Sequence, residues 1–236
     1  MALRRLAAAL ALAASGPGCA SAVNYLDPSH PVYTVPRAAA AVAPGAAPSF
    51  RVVSFNIAYA IEIDRAIEVL RETEALREPD VVALQEMDAP GTERIARALG
   101  MNAVYFPSGV HPKHERDFGS AVLSPWPLEE PRKLVLPHGA RVSGLRRSAV
   151  SAVVVRGAQR VRVYSLHLPS PLAISGGSRK AQLRAVAADA AAFPGPVVIA
   201  GDFNSHGKVG ELAKAGFDWF TRDVGDTARL RVLGIG

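Results

Sequence analysis

The feature that most constrains the fold is a short apolar run that ends in an acidic residue and an amide. Residues 196–200, Pro-Val-Val-Ile-Ala, are followed directly by Gly201, Asp202, Phe203 and Asn204. A short β-branched run between Pro and Gly is typical of a buried strand. Asp202 and Asn204 are two residues apart, so both side chains leave an extended backbone on the same side. Burying an unpaired carboxylate is costly, which favours a site here. An Asp/Asn turn that caps local backbone groups is the alternative.

Three more strand-like runs end in a polar residue. They cover residues 50–56, 80–86 and 160–167, and they end at Asn56, Glu86 and His167. Each has a simpler interpretation: Asn56 as a turn residue, Glu86 as a helix cap and His167 as a hydrogen-bonded core residue. Four such coincidences together are much less expected than one. The sequence therefore predicts a single sheet edge that gathers these side chains with Asp202 and Asn204.

The ordered motifs resemble those of a known superfamily. They are Ser54-Phe55-Asn56, Leu84-Gln85-Glu86, Gly119-Ser120-Ala121-Val122-Leu123-Ser124, Ser165-Leu166-His167-Leu168 and Gly201-Asp202-Phe203-Asn204. Together they are similar to the endonuclease/exonuclease/phosphatase (DNase I-like) superfamily. That superfamily includes deoxyribonucleases, abasic-site endonucleases, bacterial sphingomyelinases and inositol-polyphosphate 5-phosphatases.

The resemblance implies a fold as well as an activity. It implies two packed mixed β-sheets flanked by helices, a four-layer sandwich with the site at one edge. The pattern of hairpins and helix-separated strands independently favours an α/β fold with mixed sheets. We therefore expect an α/β two-sheet sandwich.

The resemblance also implies a role for each strand-end residue. Glu86 holds a divalent metal with Asn56 close by, and Asp202 orients or deprotonates the attacking water. Asn204 and His167 contact the phosphate oxygens. Mg²⁺ is the expected ion, with Mn²⁺ as a second choice, because Mg²⁺ prefers oxygen ligands and keeps several waters. A Cys/His zinc site has no support, since Cys19 is the only cysteine.

Other polar residues are weaker candidates. Arg146, or its neighbour Arg147, is a candidate contact of the scissile phosphate, although an ordinary surface charge is the favoured interpretation. Residues 109–117 are expected to form a loop beside the site, with His111 and His114 solvated.

One departure from the family pattern bears on activity. The resemblance implies a final Ser-Asp-His element, preceded by a strand with another Asp, that performs acid–base work. The chain ends at Gly236, and no His follows His206. We therefore expect a domain at residues 49–236 that is C-terminally incomplete and lacks its last strands. Little or no hydrolase activity is the corresponding expectation.

The amino terminus predicts an export signal at residues 1–22. Arg4 and Arg5 precede an apolar stretch at residues 6–14 that is too short to span a bilayer as a mature helix. Cleavage at the Ala-Ser-Ala of residues 20–22 and lipidation of Cys19 are the two alternatives. Lipidation is slightly favoured, because a single cysteine forms no internal disulfide. Residues 23–48, rich in Ala and Pro, are predicted to be a flexible linker. A periplasmic, outer-membrane or cell-surface lipoprotein is expected, otherwise a secreted protein.

Composition bounds the substrate only loosely. The net charge of +6 permits phosphate-bearing ligands, but no Lys/Arg-rich run is present and aromatic residues make up only 6%. We expect a monomeric, exported, Mg²⁺-dependent phosphodiesterase with nucleic acid as the favoured substrate. A lipid or inositol phosphate hydrolase, and a non-catalytic surface lipoprotein that retains the fold, are the alternatives.

Overall fold

The computed structural model describes residues 22–38, 49–205 and 209–224. Residues 1–21 of the predicted export signal, with Cys19, lie outside this part, as do residues 39–48 of the Ala/Pro-rich stretch and the last residues of the chain. Within the described ranges, none of the helices combines the length and apolarity needed to cross a bilayer.

Nine strands form two sheets in the described chain. The first sheet contains β1 (Tyr33–Val35), β2 (Val52–Asn56), β3 (Val81–Met87), β4 (Asn102–His111) and β5 (Arg116–Ser124), in the order β1-β4-β5-β3-β2. The second contains β6 (Leu128–Val135), β7 (Ser148–Arg156), β8 (Gln159–His167) and β9 (Val197–Asp202), in sequence order. β2 runs parallel to β3 and β8 parallel to β9, whereas the other pairs are antiparallel. Both sheets are therefore mixed, as predicted.

The helices complete a four-layer sandwich. They are α1 (Ile63–Glu72), α2 (Ala89–Leu99), α3 (Gly176–Ala191) and α4 (Gly210–Lys214), with a short 3₁₀ helix at Glu74–Leu76. α1 and α2 cover the outer face of the first sheet, and α3 and α4 cover that of the second. Between the sheets, Phe106 and Val122 pack with Val150 and Val163. The alternation of side chains along each strand produces both faces, because successive residues point to opposite sides.

The linker prediction for residues 23–48 is wrong in its first part. Residues 22–35, here called the N-terminal strap, are built into the domain. Tyr33 pairs with Tyr105 in the β1–β4 ladder, and the Val110 amide donates to the Val23 carbonyl at 2.8 Å. Gly109 permits the close approach, because a Cβ there would lie 2.2 Å from the Val23 carbonyl oxygen. Tertiary pairing therefore offsets a composition that by itself favours disorder.

A buried lysine fixes the middle of the strap. Lys133 on β6 is only 3% exposed, and its Nζ donates to the carbonyls of Tyr25 at 3.1 Å and His30 at 2.7 Å. Burial lowers the pKa of this ammonium, and Asp27 opposes the shift. The strap is thus held by backbone pairing at both ends and by a side-chain donor in its middle.

The segment predicted as a loop at residues 109–117 is mostly strand. β4 and β5 form a hairpin in which His111 pairs with Arg116, so only four residues turn the chain. The short turn leaves the His111 and His114 side chains close to the end of the sandwich.

Candidate active site

The structure brings the five predicted strand-end residues together. Asn56 Nδ2 donates to Glu86 Oε1 at 3.3 Å and to Asp202 Oδ2 at 3.0 Å. His167 Nε2 lies 3.8 Å from Glu86 Oε1 and 3.9 Å from Asp202 Oδ2. Asn204 Nδ2 lies 3.2 Å from His167 Nε2. The parallel pairs β2–β3 and β8–β9 explain this arrangement, because their carboxyl ends share one edge of the sandwich.

Glu86 occupies an unusual backbone position. Its φ is 58°, and the β3–β5 register shifts between Gln85 and Met87, so Glu86 is the extra residue of a bulge. A left-handed conformation in a non-glycine residue costs about 1–3 kcal/mol and tends to occur at functional sites. The bulge turns the carboxylate towards the loop after β2, where the Tyr59 amide donates to Glu86 Oε2 at 3.0 Å.

Gly201 explains why the β9 motif begins with glycine. Its φ is 148°, and a Cβ at this position would lie 1.9 Å from the Leu166 carbonyl oxygen on β8. Close contact with β8 brings Asp202 beside His167, its register partner. The backbone amide of Asn204 then donates to Asp202 Oδ1 at 2.8 Å, and this hydrogen bond orients the carboxylate.

The Glu86 carboxylate is electrostatically unfavourable without further positive charge. Burial raises its pKa, and the hydrogen bond from Asn56 and the charge of Arg147 only partly offset the effect. The neighbouring Asp202 charge adds to the rise. Two carboxylates bridged by one amide therefore form a place where a cation is favoured.

The donor set fits a hard divalent ion. Mg²⁺ is usually held by one or two carboxylates and keeps several waters, and Glu86 and Asp202 supply carboxylate oxygens of that type. Asn56 presents its Nδ2 donor to both carboxylates, and its Oδ1 accepts from the Ala58 amide. Within the described ranges, no group of three or more His, Cys, Asp and Glu side chains has metal-binding geometry.

Arg147, rather than Arg146, is the cation beside the carboxylates. Its guanidinium lies 4.3 Å from the Phe118 ring centroid, and Nη1 is buried with no hydrogen-bond partner among the described residues. Burial lowers its pKa to about 10, against the attraction of Glu86, Tyr59 and Asp202. The backbone amide of Arg146, in contrast, donates to Asn24 Oδ1 of the strap at 2.7 Å. A buried, unpartnered N–H group beside two carboxylates is suited to an anionic ligand.

Arg179 is a site residue that sequence reasoning missed. From α3, its Nη1 donates to the Pro169 carbonyl at 2.6 Å, and its Nη2 donates to the carbonyls of Phe203 at 2.8 Å and Asn204 at 2.6 Å. One side chain therefore ties the loop after β8 to the loop after β9. In the sequence, Arg179 is simply one of the polar positions of a predicted helix. No local signal distinguishes it from the surface arginines.

A polar link between the sheets supports the base of the site. Gln85, adjacent to Glu86, is 1% exposed, and its Nε2 donates to Ser165 Oγ at 3.0 Å. Ser165 Oγ in turn donates to the Leu84 carbonyl at 2.8 Å. These bonds fix β3 against β8 just below Glu86 and His167.

An aromatic wall borders the site, and it corrects the expectation that His111 and His114 are solvated. The Tyr59 ring lies 4.9 Å from His111 and 4.2 Å from His114 between centroids, and Phe118 lies 5.2 Å from His111. Burial, with the charges of its neighbours, lowers the pKa of His111. Phe118 also lies 5.9 Å from His167, so the wall extends to the carboxylates.

A four-layer sandwich with carboxylates, amides and an imidazole at one edge defines the DNase I-like class of phosphoesterase fold. The family model described as the Endonuclease/Exonuclease/phosphatase family matches residues 53–231. The chain belongs to this family.

Solved structures with the same fold support the assignment. Sphingomyelinase C from Streptomyces griseocarneus is 21% identical, with a TM-score of 0.53 over 72% of this chain and 69% of that chain. D. rerio TDP2 complexed with a single-strand DNA product is 21% identical, with a TM-score of 0.52 over 71% and 64%. A family protein from Leptotrichia buccalis is 16% identical, with a TM-score of 0.53 over 70% and 72%. No curated protein matches the sequence. At these identities the likeness establishes the fold and leaves the substrate open.

Proposed function

We propose that this protein hydrolyses phosphodiester bonds with the aid of Mg²⁺ held by Glu86, with Asn56 and Asp202 beside it. The observation that carries the proposal is the Asn56 amide between Glu86 and Asp202, together with the unpartnered Nη1 of Arg147. When bound there, Mg²⁺ would polarise a phosphoryl oxygen and stabilise charge on the leaving group. The proposal fits the phosphoester hydrolase fold of the family.

The chain's own residues supply positioning and proton transfer. Asp202, held by the backbone amide of Asn204, accepts the proton of the attacking water. His167 stays neutral near pH 7, because burial and the charge of Arg147 lower its pKa well below the usual value. A neutral imidazole with its proton on Nε2 can donate one hydrogen bond to a phosphate oxygen. Asn204 Nδ2 donates to the Leu168 carbonyl at 2.8 Å and faces His167 Nε2 at 3.2 Å, so a phosphate oxygen would take the place of His167 as its second partner. Arg147 adds a fixed positive charge where negative charge develops.

The test is hydrolysis of bis-p-nitrophenyl phosphate and plasmid DNA with and without Mg²⁺. We expect Glu86→Gln to lower the Mg²⁺-dependent rate about 100-fold and to weaken Mg²⁺ binding in calorimetry. Glu68→Gln, on the exposed face of α1, is the matched control and should leave both unchanged. Equal rates in wild type and Glu86→Gln would refute the proposal. Mg²⁺ binding without hydrolysis would instead favour the non-catalytic alternative.

A lipid phosphodiester is the second candidate substrate, because two exposed apolar side chains lie on loops that line the cavity beside Arg147. Val142 is 94% exposed and Leu172 is 91% exposed. Their loops are joined by the Arg141 amide, which donates to the Ala173 carbonyl at 2.8 Å. Exposed apolar side chains of this kind are suited to a membrane surface. Assays of DNA, RNA, sphingomyelin vesicles and inositol phosphates with Mg²⁺ separate the candidates, and nucleic acid is the favoured one.

We propose export for the full chain, with residues 1–22 as the signal and Cys19 as the lipidation site. The support comes from the basic and apolar order of the amino terminus. Cys19→Ala should move the protein from the membrane fraction to the soluble fraction of exported proteins. An unchanged distribution would favour cleavage at residues 20–22.

A further inference from the structure

A cavity next to the carboxylates has the charge of an anion site. Its volume is about 300 Å³, and it is lined by His111, Pro112, Lys113, Ala140, Ser143, Leu145, Arg147, Pro169 and Ala173. That volume is at the lower end of the range for ligand pockets, about 300–1,000 Å³. The lining contains two cationic side chains, an imidazole and a hydroxyl, and no acidic residue.

Arg147 joins this cavity to the proposed hydrolytic site. Arg147 lines the cavity, and its charge also interacts with those of Glu86 and Asp202. The buried Nη1 has no partner within the described part of the chain. A buried donor left unpaired costs about 1–3 kcal/mol, so a ligand that accepts its hydrogen bond is favoured.

The other lining residues decide what kind of ligand group fits. Lys113 lies in the β4–β5 turn with its side chain exposed, so its ammonium is available to a ligand. His111 forms part of the aromatic wall beside it. A quaternary ammonium would face the positive charges of Lys113 and Arg147 with no carboxylate in the lining, which disfavours a choline-bearing headgroup.

We infer that this cavity binds a second phosphate of the substrate, next to the scissile one, through Arg147 and Lys113. The inference rests on the proposed function for the scissile position, and it narrows the substrate to molecules that carry adjacent phosphates. Polynucleotides and polyphosphorylated polyols share this chemistry.

The first test measures binding without catalysis. Inorganic pyrophosphate is titrated into the metal-free protein by calorimetry. We expect Lys113→Ala to weaken binding about fivefold, the loss expected for one exposed charge pair. Lys113→Arg should retain the affinity, and Lys180→Ala, an exposed lysine of α3 outside the cavity, should match wild type. Equal affinity of Lys113→Ala and Lys180→Ala would overturn the inference, as would phosphocholine binding as tight as that of pyrophosphate.

The second test separates the inference from the proposed function. KM is measured for bis-p-nitrophenyl phosphate, which has one phosphate, and for a 5′-phosphorylated dinucleotide. Lys113→Ala should raise KM for the dinucleotide about fivefold relative to KM for bis-p-nitrophenyl phosphate, and Lys180→Ala should leave this ratio as in wild type. If wild type shows no hydrolase activity but Lys113→Ala still binds pyrophosphate more weakly than wild type does, the proposed function is refuted and the anion site is retained.

Competition then identifies the source of the phosphate. Displacement of pyrophosphate by the 5′-phosphorylated dinucleotide supports a nucleic-acid ligand. Displacement by inositol trisphosphate supports a phosphorylated polyol. Displacement by neither compound overturns the inference.

Discussion

Asn56 Nδ2 lies 3.0 Å from Asp202 Oδ2 and joins an edge strand of one described sheet to an edge strand of the other. β2 and β9 belong to different layers, so this hydrogen bond crosses the end of the sandwich. The site therefore depends on how the two sheets sit against each other, as well as on the residues within each sheet.

We expect Asn56→Asp to destabilise the metal-free protein. A third carboxylate would replace the amide donor between Glu86 and Asp202, which removes two hydrogen bonds and adds like-charge repulsion. The free energy of unfolding should fall by about 1–3 kcal/mol. Each kcal/mol should lower the melting temperature by about 2–4 °C. Thermal melting in EDTA and in Mg²⁺ checks this, because Mg²⁺ should restore more stability to the variant than to wild type. A variant that melts like wild type in EDTA would contradict it.

We expect Arg179→Ala to impair hydrolysis through loss of loop positioning. Three carbonyls of the loops after β8 and β9 lose their donor, at a cost of about 1–3 kcal/mol in unfolding free energy. In steady-state kinetics kcat should fall about tenfold or more, because Asn204 is displaced, while calorimetric Mg²⁺ affinity stays near that of wild type.

The control for Arg179 lies on the same helix. Arg184 is exposed and pairs with Glu211 at 3.2 Å, so Arg184→Ala should change neither kcat nor stability by more than a small amount. Arg179→Lys should restore part of kcat. Equal kinetics for the two alanine variants would show that Arg179 has no positioning role.

We expect stability to fall as the pH drops below 6.5, partly because of His111. Burial, followed by the charges of His114, Arg147 and Lys113, lowers the pKa of His111 in the folded state. Between the lowered pKa and the unfolded value of 6.5, the unfolded chain binds more protons, so protonation favours unfolding. His111→Asn should therefore show a smaller decrease in melting temperature between pH 7 and pH 5. Parallel melting curves for variant and wild type across this range would contradict the prediction.

We expect Lys133→Met to loosen the N-terminal strap. The carbonyls of Tyr25 and His30 would lose their donor, at a cost of about 1–3 kcal/mol. Limited proteolysis should then cut within residues 25–30 faster than in wild type, and hydrogen exchange should increase there. Lys180→Met, on the surface of α3, is the matched control. An unchanged cleavage rate would show that backbone pairing alone holds the strap.

The sequence predicts the residues at the strand ends well, for a physical reason. Asn56, Glu86, His167 and Asp202 each follow an apolar run whose strand character is local, and parallel pairing places those ends together. The left-handed φ of Glu86 is not visible in such a pattern, because the bulge depends on pairing with β5.

The missed features all depend on tertiary contacts. Arg147 and Arg146 are equivalent in the sequence, and only the ladder of β6 and β7 decides which of them approaches the carboxylates. Arg179 is one of several polar residues on α3, and its carbonyl partners come from two distant loops. β1 has three residues and forms only because β4 presents an unpaired edge.

The strap sets a limit on how far the amino terminus can be trimmed. Cutting after Ala22 leaves its pairing with β4 in place, whereas a fragment that begins at residue 49 would leave the β4 edge unpaired. Such an edge is a template for association with other chains. The shortest fragment of this chain that keeps the β4 edge paired along its length should therefore begin no later than Val23, and proteolytic removal of the strap would yield an aggregation-prone product.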